Sequence, residues 1–313
     1  MRFSLLITFF ISCASLFGQW TQVGSVIQSF SQNPALTFIG DTPYVGASDV
    51  VSGGQLMVKS FNGTAWADVG GSASSGFATN VSLEVDNSDV LYTGFVTATG
   101  GANVKKLSGN NWVSVGPEDF TDAFNMDFKI DGTDLYVAFS DQSLFGQLTV
   151  MKFNGTSWEV LGSAGLTTGG IEYPSIEFDN GVPYVGFKDF GSGGGATVLK
   201  YNAGTNNWTT VGSNGFSPGQ TLFTSLEFDN GVPYVGFSDN VEGGKVTVMK
   251  YNDTSGSWEL VGNAGFSDGF SADVSLVFYQ NTPFVAFQDD ANSDLTTVMT
   301  FDGTDWTKVG DSF

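Results

Sequence analysis

Glu177 to Phe187 reads EFDNGVPYVGF, and Glu227 to Phe237 repeats the same eleven residues without change. The Asp-Asn-Gly triplet inside this phrase is turn chemistry, since Asn and Gly both tolerate the left-handed backbone that a tight turn needs. It separates two short runs rich in aromatic and β-branched residues, Ser225 to Phe228 before it and Pro233 to Phe237 after it. Reading outward, Val246 to Tyr251 (VTVMKY) gives a third strand and Trp258 to Val261 (WELV) a fourth. The second and third runs are almost continuously apolar, which implies burial on both faces. No segment of useful length carries a helical period.

The fourth strand sets the period. All seven tryptophans, Trp20, Trp66, Trp112, Trp158, Trp208, Trp258 and Trp306, open a Trp-x-x-Val-Gly step, with Val-Leu-Gly as the variant after Trp158. Their spacings are 46, 46, 46, 50, 50 and 48 residues. Several short strands per unit of this length mark a blade of a β-propeller. Six strand sets, A-B-C-D, end at the tryptophans from Trp66 to Trp306. The expectation is therefore an all-β chain: a six-bladed β-propeller of four-stranded antiparallel blades, with residues 19–313 as a single domain. The seventh step, Trp20 to Val23, has no strands before it and is expected to close the ring by pairing with the last blade's outer edge. The tryptophans are expected to pack blade against blade, with Phe77, Phe216 and Phe266 as plugs between blades.

The strand B tyrosine, a glycine-rich loop, a strand C ending in Tyr-Asn and then the tryptophan together resemble the kelch repeat. Tyr234, Gly243-Gly244, Tyr251-Asn252 and Trp258 show it, and Tyr184, Gly193-Gly194, Tyr201-Asn202 and Trp208 repeat it. A kelch blade carries a double glycine at the end of strand B, where this chain has Gly-Phe or Ala-Phe. The resemblance implies four-stranded blades and a binding role.

At the N-terminus, Arg2, the apolar run Phe3 to Ile11 and the small residues Ser12 to Gly18 read as a secretory signal peptide, residues 1–18. The expected location is thus secreted or at the cell surface. Cys13, the only cysteine, is the alternative: the lipidated residue of a lipoprotein signal. Cleavage after Gly18 would leave a chain with no disulfide, stabilised by packing alone.

The residue inventory excludes whole classes of chemistry. There is no histidine, and Arg2 is the only arginine. Catalytic triads built on His are ruled out, as are zinc or copper sites of imidazole and thiolate and carboxylate grips made by arginine. A net charge of −21 disfavours nucleic acid and anionic membrane. The ten lysines are spread through the repeats without an evident cluster.

Carboxylates, amides, hydroxyls and aromatics remain. Asp49, Asp141, Asp189, Asp239 and Asp289 end strand B in five repeats, beside Gly-rich loops, and Thr97 holds the place in the second. They could form a ring of oxygen donors for weak Ca²⁺ binding, or each could cap its own turn; no other cofactor is expected. Glu84, Glu177 and Glu227 on strand A could flank a central channel. Residues that break the repeat are the candidate ligand contacts: Gln142, Phe145, Tyr173, Lys188 and Phe190. Asn-Gly-Thr at Asn62 and Asn154 reads as hairpin-turn chemistry rather than as glycosylation. Two functions follow. The first is a monomeric, non-catalytic binding propeller for an extracellular glycan or protein. The alternative is a Ca-dependent hydrolase or lactonase-like propeller using carboxylates at the channel mouth.

Overall fold

The computed structural model describes residues 20–27 and 30–313, with the backbone alone for residues 30–33. The signal-peptide segment and Cys13 lie outside the described residues. Strands dominate. The described residues fall into two compact units, Thr21–Ala164 and Gly165–Phe313, the second taking in Trp20.

In the second unit the repeat takes its regular form. Strands β12 (Ile171–Asp179), β13 (Val182–Asp189), β14 (Gly195–Asn202) and β15 (Asn207–Thr210) make one antiparallel sheet in chain order. Strands β16 (Thr221–Asp229) to β19 (Ser257–Leu260) and β20 (Ser271–Tyr279) to β23 (Trp306–Lys308) make two more. Strands A, B and C run a few residues longer than the sequence pattern suggests, because backbone pairing continues past the last apolar side chain. Val185, Phe187, Val235 and Phe237 on the second strands are fully buried, as the apolar runs require.

The first unit holds a four-stranded sheet, β8 (Ala123–Asp131) to β11 (Trp158–Val160), and a seven-stranded sheet, β1 (Phe30–Ile39) to β7 (Asn111–Ser114). The larger sheet arises because β4 runs unbroken from Trp66 to Val85. Its first part pairs with β3 (Gln55–Phe61) and its last part with β5 (Leu91–Thr97), so one strand serves two repeats. The linking stretch, Gly70 to Gly76, is made of small residues, of which Gly70 and Gly71 take positive φ values of +71° and +67°.

Repeats within each unit are joined by two recurring bonds. A strand A serine reaches the next strand A: Ser175 Oγ accepts from Leu226 N at 3.0 Å, Ser225 Oγ from Leu276 N at 3.0 Å, and Ser82 Oγ from Phe128 N at 3.3 Å. Within each unit, an indole in turn donates to the valine carbonyl of another Trp-x-x-Val step. Trp258 reaches Val211 at 2.9 Å and Trp306 reaches Val261 at 2.7 Å; Trp112 reaches Val69 and Trp158 reaches Val115. The glycine after the valine completes the motif. Gly212 sits at φ +76°, and a Cβ there would stand 3.1 Å from the Trp258 ring.

Two expectations need correction. Residues 20–23 form no strand. Instead the Trp20 indole donates to Val309 O at 2.7 Å with its ring 5.2 Å from Phe313, while Trp66 donates to Val23 O. The tryptophan step joins through a side chain, so it needs no edge pairing. Phe77 is not the counterpart of Phe216 and Phe266. The latter two stack flat on Trp258 and Trp306 at 4.1 and 4.4 Å, and Phe120 does the same on Trp158 at 4.8 Å. Phe77 lies across Gly54 and is partly exposed.

Candidate functional site

Strand B ends in a short turn in which the aspartate acts as cap. Asp141, Asp189, Asp239 and Asp289 precede 3₁₀ turns and accept from the backbone N–H two residues on. Asp49 does so for Val51. The second carboxylate oxygen is also taken, by Thr149, Thr197 or Thr247 on strand C, or by Ser52 and Asn292 in the turn itself. Every aspartate of the set thus spends both oxygens on its own repeat. Among the described residues no group of three His, Cys, Asp or Glu stands together as a metal site. On strand A, Glu84 is drawn to Lys129 of the next repeat, 3.5 Å away.

The candidate ligand contacts separate into three places. Gln142 and Phe145 share one turn of the first unit. Phe145 occupies the position held by Gly193 and Gly243 in later repeats, with φ +58° and 94% of its surface exposed. A bulky side chain in the left-handed region costs roughly 1–3 kcal/mol, and such strain is often stored at functional positions.

Lys188 and Phe190 come together in the second unit, and Tyr173 stands apart from them, against Phe223. Lys188 stands one residue before the cap, where other repeats carry the buried serines Ser48, Ser140 and Ser238. It is itself buried, pairs with Glu172 Oε2 at 3.0 Å and lies 4.7 Å from the Phe190 ring centre. Glu172 is opposite Lys188 in the strand register. Phe190 remains 49% exposed.

Tyr173 follows Glu172 on a bulge of β12 and has φ +52°. The equivalent bulges of β16 and β20 carry Phe223 and Asp273, at φ +53° and +52°. The Tyr173 and Phe223 rings meet at 4.9 Å. Burial raises the Tyr173 pKa above its ordinary value, and the negative charges of Glu172 and Asp273 push it the same way. The second unit thus holds a buried, paired cation beside the half-exposed Phe190, and a separate aromatic pair of Tyr173 and Phe223. Glu172, Phe223 and Asp273 were not singled out from the sequence. The doublet Glu172-Tyr173 does break the repeat, but only the bulge register shows that Tyr173, Phe223 and Asp273, like Asn80 on β4, share one left-handed position.

No protein-family model matches the chain, and no curated protein matches it. Solved structures do. YjhT shares 12% identity with a TM-score of 0.61, over 88% of this chain and 96% of its own. The SapL1 lectin, solved in complex with alpha methyl fucoside, shares 12% identity with a TM-score of 0.61, over 91% and 98%. The fold is β-propeller-like. At this identity the likeness extends to architecture alone, a succession of four-stranded antiparallel sheets.

Proposed function

We propose that the chain is a secreted or cell-surface glycan-binding protein, kelch-like in repeat and without catalytic activity, built as a closed ring of six four-stranded blades. The observation that carries the binding role is Lys188. A buried serine position has been given to a cation, and that cation is held by Glu172 beneath a half-exposed phenylalanine. Burying a lysine costs free energy unless it is paired, and the fold needs only a serine there. Donor, acceptor and aromatic surface in one place suit a sugar, whose hydroxyls both donate and accept and whose C–H face packs on a ring. The shared fold with a fucoside-bound lectin supports this choice.

The test is a glycan array with residues 19–313 and with Lys188→Ser. Ser238 donates to Gly244 O at 2.7 Å, so serine is already accommodated at this position. Retained folding with lost glycan signal is expected. An unchanged signal would assign the binding elsewhere, and capture of a protein ligand with no glycan signal would replace the glycan reading.

A further inference from the structure

The first unit exposes large apolar side chains along one edge, where its backbone joins the strand B ends of three repeats. Gly54 O in the first turn accepts from Ala78 N at 3.1 Å, and Ala78 pairs with Thr97 at the end of β5. Gly100 O in the second turn accepts from Ala123 N at 2.8 Å, and Ala123 pairs with Asp141, the cap of the third turn. The turns at 49–54, 97–100 and 141–146 therefore stand side by side.

Two of these turns carry apolar groups into water. In the first, Val50 and Val51 are exposed, and Phe77 lies across Gly54. In the third, Phe145 is almost wholly exposed, and Phe124, next to Ala123 on β8, is exposed as well. The fold requires neither phenylalanine. The place of Phe145 is held in other repeats by Gly53, Gly193, Gly243 and Ser293, all at positive φ. That of Phe124 is held by Thr79, Glu172, Leu222 and Ala272. Single exposed apolar residues are ordinary, but several gathered on one edge mark a surface that another molecule covers.

The second turn lies between them and brings charge. Asp122 sits across Gly100 and Asp119 across Gly101, so close that a Cβ on either glycine would collide with the carboxylate. Both aspartates are exposed. Asp119 accepts from Asn103 Nδ2 at 2.8 Å, which fixes its direction. The unit's five lysines are elsewhere. Lys59 pairs with Val45, Lys105 with Thr93, Lys106 with Tyr92, and Lys129 and Lys152 with Tyr136, each four or five residues before strand B ends. The edge is thus apolar on both sides, acidic between, and without a lysine. Such a surface repels acidic partners and anionic lipid, and complements one that is basic. Aromatic anchors supply much of the binding energy in protein interfaces.

We infer that this edge of the first unit is a docking surface for a basic polypeptide segment. Its lysines or arginines lie against Asp119 and Asp122, and its apolar side chains cover Phe124 and Phe145. The surface uses no residue of the Lys188 site, so it is independent of the glycan reading.

Selection of phage-displayed random peptides on residues 19–313 tests it. The enriched peptides should combine net positive charge with leucine, phenylalanine or tryptophan. A selected peptide, titrated by fluorescence anisotropy, should lose about tenfold in affinity on Phe145→Gly. Phe124→Thr should weaken it several-fold. Phe145→Gly restores the residue that other repeats use at this φ, so the melting temperature should not fall. Asp122→Asn should weaken binding and flatten its salt dependence. Lys188→Ser should leave binding unchanged. Enrichment of acidic or uncharged peptides, or no enrichment, overturns the inference. Affinity that survives both Phe145→Gly and Phe124→Thr does the same. A lower melting temperature in Phe145→Gly would assign that side chain to the fold and remove its role as an anchor. Binding of phosphatidylcholine vesicles that is lost in Phe145→Gly would make the edge a lipid contact instead.

Discussion

Replacement of Trp258 by alanine probes the joint on which the repeat is built. The indole is 8% exposed, stacks on Phe216 at 4.1 Å with 8° between planes, and donates to Val211 O at 2.9 Å. A buried tryptophan removes about 150–250 Å² from water, worth about 4–6 kcal/mol at 25 cal/mol per Å². Mutational losses for such changes run at about 3–5 kcal/mol. The orphaned Val211 carbonyl adds about 1 kcal/mol, since its donor goes with the ring. The expected loss is therefore about 4–6 kcal/mol in urea unfolding followed by circular dichroism, a large part of the stability of an ordinary domain. Trp258→Phe keeps most of the area and loses the bond, and should cost about 1–2 kcal/mol. A double-mutant cycle with Phe216→Leu should return about 0.5–1.5 kcal/mol for the stacked pair. A loss below about 1 kcal/mol for Trp258→Ala would refute the reasoning, because a junction tryptophan could then be removed without opening the junction.

Two further outcomes test the turns and the buried Tyr92 phenol. Asp239→Asn should lower stability by about 1 kcal/mol, since the caps to Val241 N and Thr247 are weakened; millimolar Ca²⁺ and Mg²⁺ at equal ionic strength should shift the melting temperature equally, and a Ca²⁺-specific rise lost in Asp239→Asn would make these aspartates ligands. Tyr92 has its pKa raised to about 12, first by burial and then by Asp86. The unfolded tyrosine ionises near pH 10 while the folded one keeps its proton. Stability is therefore full below pH 10 and falls by about 2–3 kcal/mol toward pH 12. Tyr92→Phe should flatten this alkaline decline, and an unchanged pH profile would show that the phenol ionises freely in the fold.

The sequence by itself determined the repeat. Seven Trp-x-x-Val-Gly steps and the duplicated EFDNGVPYVGF phrase specify strand order and turns, because period-two burial and turn chemistry are local properties of the chain. The absence of histidine was equally legible, being a matter of inventory. Tertiary structure decided what the repeat is used for. The partner of each indole is a backbone carbonyl 43 to 47 residues away in the regular cases, which no composition reveals. The bulges that give Tyr173, Phe223 and Asp273 one left-handed position carry no consistent residue type, so the sequence offers no common mark. Lys188 could be seen to break the pattern, but its pairing with Glu172 depends on strand register.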